Sequence, residues 1–367
     1  MAWTNYQIFL ALLMVVTGSI NTLATKWADD SNSKGRDGKI RPFDHPFVQA
    51  AAMFFGEFLC FIVYKLMIGY YRRKNYDDEQ YPDSIKGNRQ FSAFIFMPPA
   101  LCDMTATSIM YIGLNLTNSS SFQMFRGALI IFTGILSVIF LKRRLKLYQW
   151  IGMFLVMGGL VIVGLSDFKT SHEAHMLIGD FLIIVAQIIT ATQMIVEERF
   201  VSGSNVSPLQ AVGWEGIFGF ITITILLIPM YFIKVGGDIF KNPNGQIEDV
   251  IDAFYQIKNS WQVTSGLSGT ILSIAFFNFA GISVTKQLSA TTRTVLDSIR
   301  TIVIWIVSLI EKEEEFSFFK LGGFGVLLLG MCVYNDILIR PFFVKICCKE
   351  NDEERNDLEE NSENIIS

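Results

Sequence analysis

The chain of 367 residues is 51% hydrophobic and only 17% charged, whereas soluble domains carry about a quarter of their residues as charges; this excludes a water-soluble enzyme. Its formal net charge of −4 excludes a basic nucleic-acid-binding surface, so nucleic acid is not a partner. Five cysteines without CxxC spacing and three histidines confined to polar connections leave no zinc, redox or HExxH motif. No Walker loop, nucleophile elbow or dinucleotide fingerprint is present either, so no catalytic residues, cofactor or metal are expected.

Ten windows of roughly 20 mostly apolar residues, the length that crosses a bilayer, fit the chain. The first runs from Tyr6 to Thr25. It lacks a basic leader, and Trp3 and Trp27 bracket it like interfacial anchors, so it reads as a retained span. The next four are Pro46 to Ile68, Ala93 to Leu114, Ser119 to Leu141 and Tyr148 to Leu165. The second five are Leu177 to Val196, Ala211 to Phe232, Ser265 to Val284, Ala290 to Ile310 and Leu321 to Leu338. Segments of this length satisfy their backbone groups only as helices, which predicts an all-α membrane protein of ten transmembrane helices. Between windows seven and eight, residues 234–262 read as a solvated loop with a short amphipathic helix near Ile247 to Ile257. Arg72, Arg73, Lys74, Lys86 and Arg89 after the second window, and Lys142, Arg143, Arg144 and Lys146 after the fourth, place those loops and both termini in the cytosol. The acidic stretch 346–367 reads as a disordered cytosolic tail. The Cys347–Cys348 pair, a few residues after the last apolar window, suits either S-palmitoylation or a plain surface position.

The two halves repeat. Tyr111-Ile-Gly-Leu-Asn-Leu-Thr117 and Phe279-Ala-Gly-Ile-Ser-Val-Thr285 match at an offset of 168, the difference between 117 and 285. Pro46-Phe-Val-Gln-Ala50 leads to Glu57, and Pro208-Leu-Gln-Ala211 leads to Glu215. With five windows in each half, the second copy must enter the membrane upside down, as in the inverted repeats of secondary transporters. The predicted units are therefore residues 1–170, a first five-helix repeat, and 171–345, a second.

Four runs carry a family resemblance: Leu101-Cys-Asp-Met-Thr105, Ser121-Phe-Gln-Met-Phe-Arg-Gly127, Phe276-Phe-Asn-Phe-Ala-Gly-Ile-Ser-Val-Thr285 and Val295-Leu-Asp-Ser-Ile-Arg300. With the five-plus-five plan they resemble the EamA-like drug/metabolite transporter superfamily and, within it, solute carrier family 35, subfamily F. The opening Met1-Ala-Trp-Thr4 and Gly18-Ser-Ile-Asn-Thr22 strengthen the likeness to that subfamily. The resemblance implies a ten-helix transporter in an endomembrane, the lysosome ahead of the Golgi. Nucleotide-sugar transporters of this superfamily carry a Lys-Tyr-Ala-Asp-Asn-like stretch entering the ninth helix, where this chain has Lys286-Gln-Leu-Ser-Ala290.

Ionisable groups at membrane depth need a partner or a wet cavity, because burying one in hydrocarbon costs at least about 2.5 kcal/mol. Arg293, Asp297 and Arg300 share one face of the ninth window, and Gln123 and Arg126 lie one turn apart in the fourth. Together with Asn21, Tyr111 and Asn278 they are the candidate solute-binding residues. An offset of 171, the difference between 126 and 297, sets Arg126 opposite Asp297 in the repeat. Glu57, Asp103 and Glu215 are the candidates for coupling solute movement to a proton. Each of these residues also suits a purely structural role, holding helices in register. The predicted activity is alternating-access transport of a small polar or anionic organic solute across an endomembrane. The rival reading is a non-transporting adaptor that binds another protein, with the tail as one docking point; the sequence also leaves a homodimer open.

Overall fold

A computed structural model of the chain describes residues 4–77, 80–117, 122, 124–170, 174–234, 245–310 and 318–334. Helices dominate it. Helix α1 (Asn5–Asp30) starts at a capping box, in which Thr4 Oγ1 accepts from the Gln7 amide at 3.3 Å and Gln7 Oε1 accepts from the Thr4 amide at 3.0 Å. It runs one turn beyond its predicted end and leads into a hairpin that the apolar windows do not anticipate, strands β1 (Asn32–Lys34) and β2 (Ile40–Pro42), with Gly38 at φ +81° in the turn. Pro46, where a missing amide costs nothing, opens α2 (Pro46–Arg73). A short 3₁₀ turn (Ala93–Phe96) precedes α3 (Met97–Leu116).

The fourth predicted span is not one continuous α-helix. Its described residues 122, 124 and 125 are helical, and a 3₁₀ turn at Arg126–Ala128 leads into α4 (Leu129–Leu141), so Arg126 sits at a break in the helix. Then come α5 (Leu147–Thr170), α6 (Ala174–Gly203), α7 (Pro208–Phe232), α8 (Val250–Asn259), α9 (Trp261–Gln287), α10 (Ala290–Ile310) and α11 (Phe318–Tyr334). Helix α6 extends two turns past its predicted end, and α8 is the short helix expected before the eighth span. Among the described residues, seven helices are long and apolar enough to cross a membrane, and the apolar segments Arg126–Leu141 and Leu321–Tyr334 are shorter. The predicted tail, 346–367, lies outside the described residues, as do Cys347 and Cys348.

Four helix pairs build the bundle: α1 with α9, α2 with α7, α3 with α6, and α5 with α11. Gly213 meets Phe61, Gly216 meets Glu57 and Phe58, and Gly219 meets Phe54, so α2 and α7 run antiparallel at close range. Helices α5 and α11 touch backbone to backbone: a Cβ on Gly159 would lie 2.7 Å from the Gly323 carbonyl oxygen. Small residues are used this way because lipid offers no hydrophobic push between helices and contact depends on close packing. Apolar side chains such as Phe9, Leu12, Val16 and Ile20 form an exposed stripe on α1 at helical spacing, the face that meets lipid.

Candidate functional site

A cavity of about 710 Å³ runs into the bundle from the hairpin, where Asp29, Asp30, Arg41 and Phe43 line it, to Arg126, Arg300 and Ile304 at mid-depth. Helices α1, α2, α3, α6, α9 and α10 form its walls. Of the predicted binding residues, Asn21, Arg126, Asn278, Arg293, Asp297 and Arg300 all line it, together with Glu57 and Asp103. Gln123 lies outside the described residues; Tyr111 is described only by its place in α3. Glu215 is buried next to Glu57, behind the wall rather than in it.

The wall formed by α10 and the helix break is cationic. Asp297 is shared by two guanidinium groups, Arg300 at 2.8 Å and Arg126 at 3.6 Å. One carboxylate between two arginines leaves one positive charge in excess. The Arg300 guanidinium lies 4.8 Å from the centre of the Phe277 ring and that of Arg126 5.9 Å from the Phe122 ring, so each cation also meets an aromatic face. Arg300 Nε is buried without a hydrogen-bond partner. Gly18 makes room for this arrangement, since a Cβ there would lie 2.7 Å from Arg300 Cδ.

The facing wall is acidic. Glu57 Oε1 accepts from Asn278 Nδ2 at 2.5 Å, and Asp103 Oδ1 accepts from Thr107 Oγ1 at 3.5 Å. Among the described residues neither carboxyl has a cationic partner within ion-pair distance. Behind them Glu215 Oε1 is buried and unpartnered. Asn21 donates to the Thr270 carbonyl at 3.3 Å and thereby ties α1 to α9 while facing the cavity.

Sequence reasoning missed Glu197 and Gln193. Arg293 forms a buried ion pair with Glu197, which also accepts from Gln193 Nε2 at 2.7 Å. The available signal was a glutamine and a glutamate four residues apart; ending the sixth window at Val196 hid it. Arg293 is thus spoken for within the protein, unlike the Arg126–Arg300 couple.

A second buried cluster closes the hairpin end. His45 Nδ1 lies 2.6 Å from Glu248 Oε1, and its Nε2 lies 3.4 Å from Asp252 Oδ2. Glu248 also accepts from the Phe47 amide at 3.0 Å, and Asp252 accepts from Arg41 Nη2 at 2.6 Å and from the Arg36 amide at 2.7 Å. Burial works against charge on His45, but hydrogen bonds to Asp252 and Glu248 and their negative charges outweigh it and push its pKa up to about 9. Burial likewise opposes charge on Asp252, yet its bonds to His45, Arg41, Arg36 and Gln256 hold its carboxyl well below the usual range. The cluster ties the hairpin and the start of α2 to α8, which leads into α9.

A helical bundle embedded in lipid, with a polar cavity reaching mid-depth, is the build of a multi-pass membrane transporter of small solutes. Comparison with known proteins agrees. A sequence model described as nucleotide-sugar transporter matches residues 5–312. Solute carrier family 35 member F6 of Homo sapiens is 50% identical over 97% of this chain and 96% of its own length, and that of Mus musculus is 51% identical over 92% and 90%. An uncharacterized protein of Schizosaccharomyces pombe is 31% identical over 90% of this chain and 98% of its own. A solved crystal structure, 12% identical, superposes with a TM-score of 0.55 over 93% of this chain and 99% of that one, which speaks to fold alone. The chain belongs to the nucleotide-sugar transporter family, in subfamily F of solute carrier family 35 alongside member F6.

Proposed function

We propose that the chain is a secondary transporter that carries a small polar or anionic organic solute across an endomembrane by alternating access. The observation that carries this reading is the cationic couple Arg126 and Arg300 sharing one Asp297 on the wall of a mid-depth cavity. A buried positive charge in excess is costly without an anionic partner, so the site suits a solute's anionic group. Glu57 and Asp103 supply the opposing wall, with Glu215 buried behind it, and this wall takes a proton or a cationic group as the cycle turns.

The helix pairing supports two inverted five-helix units, 1–170 and 171–345, and ten crossing segments. Exchanging α1 with α6 and α3 with α9 turns the α1–α9 pair into the α6–α3 pair, while α2–α7 and α5–α11 each map onto themselves. The basic loops support cytosolic termini and a lumenal residue 234–262 connection, a lysosomal membrane being the site the family resemblance favours. Reconstitution into proteoliposomes, loaded against a broad metabolite mixture, tests the activity. Saturable uptake of one component, lost in Arg126→Gln, is expected. Absence of flux for every component would leave the adaptor reading in its place. Cysteine-accessibility mapping of residues 142–146 and 234–262 should find them on opposite sides of the membrane; finding both on one side would overturn the inverted arrangement.

A further inference from the structure

The cavity is polarised. On one wall Arg126 and Arg300 face a single Asp297, and on the other Glu57 and Asp103 have, among the described residues, no cation within ion-pair reach. Arg300 is only 4% exposed and its Nε has no hydrogen-bond partner. The lining also holds apolar side chains, Phe122 and Phe277 beside the arginines and Met53, Met110 and Met194 elsewhere on it. We propose that the solute is a zwitterion with an apolar body, its carboxylate on Arg126 and Arg300 and its ammonium on Glu57 and Asp103. This deepens the transport reading above and rests on it.

The charge balance selects the groups. One excess positive charge on the arginine wall matches a singly charged carboxylate, whereas a phosphate dianion would overshoot it. The acidic wall does not suit a metal ion: among the described residues no group of three or more acidic, histidine or cysteine ligands is close enough to hold one. An ammonium donates three hydrogen bonds, which two carboxylates and the Asn278 side-chain oxygen are able to accept. The cavity volume of about 710 Å³ lies within the range of small-molecule sites, and its aromatic and methionine lining fits an apolar body between the two charged ends.

The test uses the purified full-length chain in detergent and ligand-induced thermal stabilisation, which needs no labelled solute. The probes are phenylalanine, leucine, 4-aminobutanoate and 6-aminohexanoate, which vary the body and the separation of the charges. Each is compared with its N-acetyl derivative, which keeps the anion alone, and its methyl ester, which keeps the cation alone. At least one free amino acid should raise the melting temperature, with both derivatives at least ten-fold weaker in apparent affinity. In Glu57→Gln and Asp103→Asn the free amino acid and its N-acetyl derivative should bind within about two-fold of each other, and Arg126→Gln should weaken both. An N-acetyl derivative or an ester that binds as well as its parent overturns the inference, and so does a lack of response to every probe. Proteoliposome flux judges the transport reading separately: uptake of a purely anionic or neutral solute would keep transport and discard the zwitterion, while binding of a zwitterion without any flux would do the reverse.

Discussion

Two buried charge clusters stand at opposite ends of one cavity and solve the same problem differently. At the hairpin end, Arg41 and His45 meet Glu248 and Asp252, cation for anion, with backbone amides filling the remaining carboxylate positions. At mid-depth two arginines compete for Asp297, and among the described residues the facing acids Glu57 and Asp103 have no cation within ion-pair distance. A cluster whose charges close on themselves is a fastener, because moving either side exposes an unpaired buried charge. A cluster left with charge to spare is one that a passing ligand completes. The first joins the α1–α2 connection to α8; the second is where a solute should change the balance.

The largest expected effect is at Asp297. Asp297→Asn strands the buried Arg300 guanidinium and the partly exposed one of Arg126 and should cost about 3–5 kcal/mol, with flux abolished. Melting of the variant in detergent checks this, and a loss under about 1 kcal/mol would mean the triad is well hydrated and is no special site. Exchanging charges through Arg126→Asp with Asp297→Arg should not rescue it, since Arg300 at 2.8 Å would then face a second guanidinium. A full rescue would show that Arg126 and Asp297 act as an isolated pair and that Arg300 is a bystander.

Arg293 sharpens the contrast, because its counter-charge lies inside the protein. Arg293→Met alone leaves Glu197 buried without its cation and should cost a similar 3–5 kcal/mol, whereas Arg293→Met with Glu197→Gln should recover most of the loss. Thermal melting of the three proteins measures the coupling. If the double variant is no better than the single, the arginine has a further partner, and the solute becomes the leading one.

The fastener should reveal itself through pH. His45 has a folded pKa of about 9, above its unfolded value of 6.5, so its contribution is complete below about pH 6.5 and fades as pH rises toward 9. The shift corresponds to about 3 kcal/mol for this nearly fully buried ring. Melting between pH 6 and 9.5 should therefore show a decline that His45→Gln removes. An unchanged profile in the variant would assign the decline to other groups and leave the hairpin contact as neutral packing.

The difference between the clusters also explains what the sequence disclosed. Arg126, Asp297 and Arg300 were legible because a charge inside an apolar window is improbable without a reason, and the repeat offset of 171 already set Arg126 against Asp297. His45 gave no such signal. It lies in a polar connection, and its partners Glu248 and Asp252 follow about two hundred residues later in another loop. The hairpin was invisible for a similar reason: three-residue strands carry too little pattern, and Asp252, which receives the Arg36 amide and the Arg41 side chain, lies far along the chain. Helix existence followed from apolar length, whereas the break at Arg126 and the extension of α6 depend on tertiary contacts that periodicity does not encode.

The smallest effect expected is at Arg143 and Glu198, which separates a surface pair from a buried one. Arg143 bonds Glu198, but its side chain is 35% exposed, so solvent screening should hold the value of the pair below about 1 kcal/mol. The other oxygen of Glu198 accepts from the Ala290 amide at 3.0 Å, the first residue of α10. There the carboxylate caps one of the amides that a helix leaves open at its start, where the helix dipole also favours negative charge. Glu198→Ala should then cost about 1–2 kcal/mol, close to the loss of an ordinary N-cap, and Arg143→Ala should cost clearly less. Because α10 carries Arg293, Asp297 and Arg300, fraying its first turn should also weaken solute binding in Glu198→Ala and spare it in Arg143→Ala. Equal losses of stability and binding in the two variants would show that Glu198 works as an ion pair with the loop and that the start of α10 holds without its cap.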